Sequence, residues 1–224
     1  MPDLDAIYAN RFDDAESARK DRLWAVLGPF FQRWVDPEAP VLDLACDRGY
    51  FIRHVRAAER WASDVRDVGG HLPADVRFVR ANGLQLAGIV PGSYFGTIFT
   101  SNYLEHLGSP DDVIAQLRIA NDLLRPGGRL VVLQPNIRLV GGAYWDFIDH
   151  RVPLTEKSLV EAGEMAGLRT LTVVTRFLPF TTKSRLPRHP ALVRAYLRFR
   201  PAWWLLGKQT LYVGERHAHS EVRA

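Results

Sequence analysis

A chain of 224 residues with 47% apolar and 24% charged residues has the composition of a globular protein long enough for one full core. No apolar run approaches the roughly 18 residues of a membrane span, Met1-Pro2-Asp3-Leu4-Asp5 lacks the basic-then-apolar order of a secretory signal, and the single cysteine, Cys46, excludes an internal disulfide or a multi-thiolate metal site. We therefore expect a cytoplasmic protein with no metal ligand set, whose net charge of +4 is concentrated at one end: from Phe177 onward nine cations face two acids, leaving about −3 for everything before.

In chain order, residues 11–34 place Leu23, Trp24, Val26, Leu27, Phe30, Phe31 and Trp34 at spacings of three and four, which predicts a leading helix whose aromatic residues pack into a core. Asp36-Pro37-Glu38-Ala39-Pro40 breaks it. A short apolar strand over Val41 to Leu44 then turns through Ala45-Cys46-Asp47-Arg48-Gly49 into a predicted helix over 49–59, the arrangement whose crevice binds nucleotide-bearing cofactors. A second strand ends at Asp64, at the spacing from Asp43 that lets an acid reach a ribose hydroxyl. Strands over 76–80, closing at Ala81-Asn82-Gly83, and over 94–100 follow.

Ser109-Pro110-Asp111-Asp112 is a helix start, with an N-cap, a proline in the first turn and early acids. The helix stops at Arg125-Pro126-Gly127-Gly128, before the nearly continuous apolar run 129–134 of a strand buried on both faces. A loop from Pro135 to Pro153 leads to a capped helix over 155–166, closed by Gly167. A strand over 169–176, a basic helix over 190–199 and a last strand over 209–214 complete the pattern. The organisation expected is a helical lead-in over 1–40, one domain over 41–215 with a basic helical insertion at 180–206, and a disordered tail over 216–224.

Five strands alternating with helices, then two terminal strands, are the order of the class I S-adenosylmethionine-dependent methyltransferases. The chain resembles them through Val41-Leu42-Asp43-Leu44-Ala45-Cys46-Asp47-Arg48-Gly49, Ser101-Asn102-Tyr103-Leu104-Glu105-His106-Leu107 and Leu124-Arg125-Pro126-Gly127-Gly128-Arg129-Leu130. It is also similar to a narrower bacterial subgroup of small-molecule or glycan type through Gln134-Pro135-Asn136, residues 144–150, Phe177-Leu178-Pro179-Phe180 and Gly207-Lys208-Gln209. The resemblance implies a Rossmann-like α/β fold: a doubly wound seven-stranded sheet, mostly parallel, with an antiparallel last strand. It implies S-adenosylmethionine (SAM) as cofactor, with Asp43 beside the methionine ammonium, Ala45, Cys46, Asp47 and Gly49 around the methionine portion, Asp64 on the ribose, Asn82 and Gly83 at the adenine, and Asn102 and Tyr103 at the transferred methyl.

The opening motif departs from the family. Two glycines that admit backbone to the ligand are replaced here by Ala45 and Asp47. Ala45 is a mild change if its backbone angles are ordinary; Asp47 adds bulk and charge near the cofactor carboxylate, for Arg48 or Arg53 to offset. A chain that keeps the fold as a non-catalytic binding module is the second reading. A dinucleotide oxidoreductase is the third, since no Gly-x-Gly-x-x-Gly follows the first strand.

Methyl transfer from a sulfonium needs the acceptor held in line, and a base only where the acceptor loses a proton. His106, with Glu105 beside it, is one candidate base; as a helix-start pair the two equally well bond backbone. Trp145-Asp146-Phe147-Ile148-Asp149-His150 is the other concentration of chemistry: Asp149 and His150 for an acceptor hydroxyl, Trp145 and Asn136 lining the acceptor site. The acceptor expected is a small molecule or glycan, an anionic one among the options. The basic end carries no recognised nucleic-acid module, and Trp203-Trp204-Leu205-Leu206 among cations suits peripheral membrane contact. Oligomeric state and acceptor atom are not legible.

Overall fold

A computed structural model describes residues 14–180 and 189–218. Its strands are β1 (Val41–Leu44), β2 (Arg60–Asp64), β3 (Val76–Arg80), β4 (Phe95–Ser101), β5 (Leu124–Pro135), β6 (Leu168–Val174) and β7 (Gln209–Arg216), in one sheet ordered β3-β2-β1-β4-β5-β7-β6. The first five are parallel and β7 runs antiparallel between β5 and β6, as expected of a Rossmann-like methyltransferase sheet. The chain moves outward from β1 through β2 to β3, then resumes on the opposite side with β4 and β5. That reversal between β1 and β4 is where an open α/β sheet leaves a crevice at its carboxyl ends.

The helices are α1 (Asp14–Phe31), α2 (Pro110–Leu123), α3 (Ile137–Val140), α4 (Glu156–Met165), α5 (Pro190–Arg198) and α6 (Arg200–Leu206). Alternate side chains of the strands feed two cores. Leu42, Leu44, Ile98, Leu130 and Val132 pack with α2 and α4, while Val41, Phe99, Val131, Leu133 and Val213 pack with Phe31 of α1 and Trp203 of α6. α2 starts as its sequence dictates, with the Ser109 hydroxyl accepting the Asp112 N–H at 3.2 Å. α4 has a reciprocal cap, Thr155 Oγ1 accepting the Ser158 N–H and Ser158 Oγ accepting the Thr155 N–H, and ends at Gly167 with φ 82°.

Several expectations are corrected. The helix predicted over 49–59 is only the turn Ile52–His54. The crossover is short, and its first residues are spent in left-handed turns at 45, 47 and 49. Tyr50, Phe51 and Ile52 are then all buried, a run that one helical face cannot bury. α1 takes the layer instead: Trp24 and Phe31 lie 5.7 and 5.2 Å from the Phe99 ring, and Phe51 stacks on Phe99 at 3.8 Å. The aromatic residues of the leading helix are core, as expected.

The loop over 135–153 contains α3 and a 3-10 turn over Gly141–Asp146, which the absence of a long apolar period hid. Trp203, grouped with Trp204, Leu205 and Leu206 as suited to membrane contact, is buried against Phe30 and Phe177; Trp204 and Leu205 are exposed. Arg216, assigned to the tail, ends β7, its guanidinium donating to the carbonyls of Asn121, Asp122 and Leu124. Lys183, Arg185, Arg188 and the tail from 219 lie outside the described residues. Among the described residues no helix is long and apolar enough to cross a membrane.

Candidate active site

Ala45, Asp47 and Gly49, at the mouth of β1, have φ of 58°, 51° and 73°. The backbone thus takes left-handed angles that glycine adopts without penalty, although two of the three residues carry a Cβ. Such a conformation costs an L residue about 1–2 kcal/mol, so the condition under which Ala45 is a mild change, ordinary backbone angles, is not met. Asn102, at the end of β4, is left-handed too, with φ 50°. Three of the four non-glycine residues with positive φ among the described residues therefore face the topological reversal, where strain is characteristically stored at functional sites.

Asp47 meets two cations, neither of them the Arg48 or Arg53 expected. Arg66 Nη2 donates to Asp47 Oδ1 at 2.9 Å and Lys20 Nζ of α1 lies 3.7 Å from Oδ2. Arg48 instead donates to Ser17 Oγ at 2.8 Å, and Arg53 to Asp21 Oδ1 at 2.7 Å. Arg66 also grips Asp64: Oδ1 accepts its backbone N–H at 2.9 Å and its Nε at 3.2 Å, while Oδ2 accepts the Asp47 N–H at 3.0 Å. Burial opposes the charge on Arg66, but Asp64 and Asp47 outweigh it and hold the guanidinium above its ordinary range. The carboxyl of Asp43, 3% exposed, accepts the Ile52 N–H at 3.3 Å. Burial above all, with Asp64 and Asp47 adding to it, pushes Asp43 well above the usual carboxylate range. Cys46 is buried in the core, where burial and then the Asp43, Asp64 and Asp47 charges push the thiol far up, so it is packing.

Toward the adenine position of the resemblance, Asn82 Oδ1 accepts the Leu84 N–H at 3.0 Å and caps the turn Gly83–Gln85. Buried Gly83 backs onto Tyr103, whose hydroxyl donates to Gln116 Oε1 at 2.9 Å; the Gln116 Nε2 donor has no hydrogen-bond partner among the described residues. Burial raises the Tyr103 phenol, so it stays a neutral donor. Asn102 Oδ1 accepts Gln209 Nε2 at 2.7 Å, tying the end of β4 to β7.

The acceptor candidates converge from two segments. Glu105, 1% exposed, accepts Gln134 Nε2 at 2.9 Å, and its backbone carbonyl accepts the N–H groups of Arg151 and Val152, which pins the loop to the turn after β4. Burial raises its pKa, with His106 opposing. His106 Nδ1 lies 3.0 Å from the Asp149 carbonyl and 3.4 Å from its Oδ2. The His106 and His150 rings are 5.0 Å apart, and His150 sits 4.7 Å from Tyr144 and 5.0 Å from Phe147. Glu105, His106, Asp149 and His150 thus form one cluster. Trp145 is 54% exposed, edge-on to Tyr144. Asn136 is drawn away: buried, it caps α3 through Oδ1 and donates to Glu156 and Thr210, so its place is structural.

Over residues 16–173 the chain matches the family described as methyltransferase domain. The chain belongs to the class I SAM-dependent methyltransferase family. No curated protein matches it. Among solved structures, this methyltransferase is similar to a chain of the complex between the Haloferax volcanii Trm112 methyltransferase activator and a methyltransferase (TM-score 0.67, 16% identity, 92% of this chain and 95% of that one). It is also similar to a SAM-dependent methyltransferase of Archaeoglobus fulgidus (0.63, 15%, 86% and 94%). A third likeness is to geranyl diphosphate C-methyltransferase of Streptomyces coelicolor, solved with Mg2+, geranyl diphosphate and S-adenosylhomocysteine (0.58, 16%, 90% and 81%). At these identities the likeness is one of fold.

The family's cofactor is SAM, and the residues of this methyltransferase fit it in three respects. The backbone turns left-handed at 45, 47 and 49, the three positions where the resemblance expects glycine. Asp43 offers a carboxyl for an ammonium, and Asp47, expected to oppose the donor's carboxylate, is already paired with Arg66 and Lys20, while Asp64, expected on the diol, is held by Arg66. The orphan Gln116 amide behind Gly83 leaves a donor for a heterocycle. Arg66, Lys20 and Gln116 were not read from the sequence. Arg66 follows the strand-tip acid by two residues, and Ser17, Lys20 and Asp21 share one stripe of α1 with Trp24, a polar signal within an apolar face.

Proposed function

We propose that this methyltransferase moves the methyl group of SAM to an oxygen or nitrogen of a small-molecule or glycan-like acceptor, in the cytoplasm. The observation that carries the reading is the left-handed path at Ala45 and Asp47 with Asp47 neutralised, since it answers the one feature of the sequence that opposed donor binding. Bound SAM supplies an electrophilic methyl on a sulfonium. Asp43 and Ala45 to Gly49 would hold its methionine end, Asp64 its ribose, and Asn82 and Gly83 its adenine, while Asn102 and Tyr103 would line the methyl. The acceptor lies against Trp145 and the His106–His150 cluster. Where the acceptor must lose a proton, His106 Nε2 would take it, its ring held by the Asp149 carbonyl at Nδ1.

Calorimetry with SAM and its demethylated product tests this. Saturable heat at one equivalent is expected for both, and no heat at millimolar ligand ends the enzyme reading. The second reading, a binding module without catalysis, is favoured by Arg66, which occupies Asp64 in the place intended for the ribose. Arg66→Ala separates the two: tighter donor binding in the variant means that the arginine obstructs, weaker binding that it serves the site. The exposed cations of α5 with Trp204 and Leu205 of α6 make a face for anionic acceptors or an anionic membrane surface.

A further inference from the structure

We propose that Glu105, His106 and His150 bind one divalent first-row transition-metal ion on the acceptor side of the crevice, with a coordination position left open for an acceptor oxygen. Each residue offers one ligand atom, and these lie within 4.8 Å of one another. Ligands about 2.1 Å from a tetrahedral ion lie roughly 3.4 Å apart, so closure takes side-chain shifts of about an ångström.

The surroundings are those of a ligand set. His106 Nδ1 sits against the Asp149 carbonyl at 3.0 Å, which places the proton there and turns the Nε2 lone pair toward Glu105 Oε1, 3.9 Å away. The other Glu105 oxygen is taken by Gln134, so the carboxylate is oriented with one oxygen directed at His106. Glu105 is only 1% exposed, so its ionised form needs a cation beside it, and the cationic side chain within reach is His106, itself a candidate ligand. The His150 ring is fixed between Tyr144 and Phe147. Two imidazoles with one carboxylate favour zinc, cobalt or iron over magnesium or calcium, and three protein ligands leave a fourth position free. The ligands come from the turn after β4 and the loop before α4, too far apart in the chain to form a recognisable metal motif.

Metal binding stands on these residues alone; the role of the open position rests on the methyl-transfer reading. With the ion bound, His106 is a ligand and no longer a base. The test uses the tag-free, metal-stripped full chain without methyl donor, titrated with Co2+ and followed by its visible absorption. Saturation at one equivalent, displacement by Zn2+ and indifference to excess Mg2+ are expected. His150→Ala should weaken Co2+ binding by more than about tenfold with an unchanged far-UV circular dichroism spectrum. His106→Gln replaces it as the deciding variant should His150→Ala unfold. A flat wild-type titration, or one that the folded variant leaves unaltered, overturns the proposal. Donor binding is measured separately, so a chain that binds SAM but not Co2+ refutes only the metal site.

Discussion

Ala45 and Asp47 hold a conformation that glycine would adopt without penalty, and their strain is local and measurable. Ala45→Gly should stabilise the protein by about 1 kcal/mol, and raise the melting temperature by roughly 2–4 °C. A lowered melting temperature would show that the left-handed turn at 45 is wrong. Asp43 presents the complementary case. Its folded pKa lies above the unfolded value, so its ionised form opposes folding at neutral pH, and that penalty fades as pH falls through the folded pKa toward the unfolded one. Asp43→Asn should therefore melt higher than the wild type near pH 7.5, with the gap closing toward pH 4, and should bind donor more weakly. A gap that is constant with pH would mean that the carboxyl is not held up by burial.

At the scale of elements, α1 decides the donor side. It lies where a crossover helix would, and it approaches the Ile52–His54 turn closely because position 28 is glycine: a Cβ there would stand 2.5 Å from both the Cβ and the carbonyl oxygen of His54. Gly28→Ala should cost about 1–3 kcal/mol by forcing the helix outward. Since α1 carries Lys20 to Asp47 and Ser17 to Arg48, the same change should weaken donor binding, read by calorimetry at a temperature where the variant is folded. Unchanged affinity would separate α1 from the site. α4 gives a simpler check: Thr155→Ala removes the side-chain half of a reciprocal cap and should cost about 1 kcal/mol in denaturant unfolding, with no change in m-value.

For the whole molecule, donor binding and folding are linked. A ligand that binds only the folded state at a hundred times its dissociation constant stabilises by about 2.7 kcal/mol, which for a chain of this size raises the melting temperature by roughly 5–10 °C. S-adenosylhomocysteine should produce that shift, and none at saturation by calorimetry would contradict a single folded binding state. The charge asymmetry acts at the same scale. Arg194, Arg198 and Arg200 are exposed on α5 and α6, as are Trp204 and Leu205 of α6, so the chain should sediment with anionic vesicles at low salt, not with neutral ones, and be released by salt. Equal sedimentation with both would remove charge as the cause.

Strand periods, the Ser109 and Thr155 caps and the two terminal strands were legible because they depend on neighbours a few residues apart, and so the methyltransferase architecture could be expected from the chain alone. The turn at 45–49 could be located but not judged, since backbone angles depend on what packs around it. Which cations meet Asp47, that Trp203 is buried, that Asn136 is structural, and that His106 lies beside Asp149 and His150 were decided only by tertiary structure. Each joins residues distant in the chain, brought together by strand pairing, by α1 over the donor side and by the loop before α4 folding back on the turn after β4. Such contacts follow from the three-dimensional path and not from spacing along the sequence.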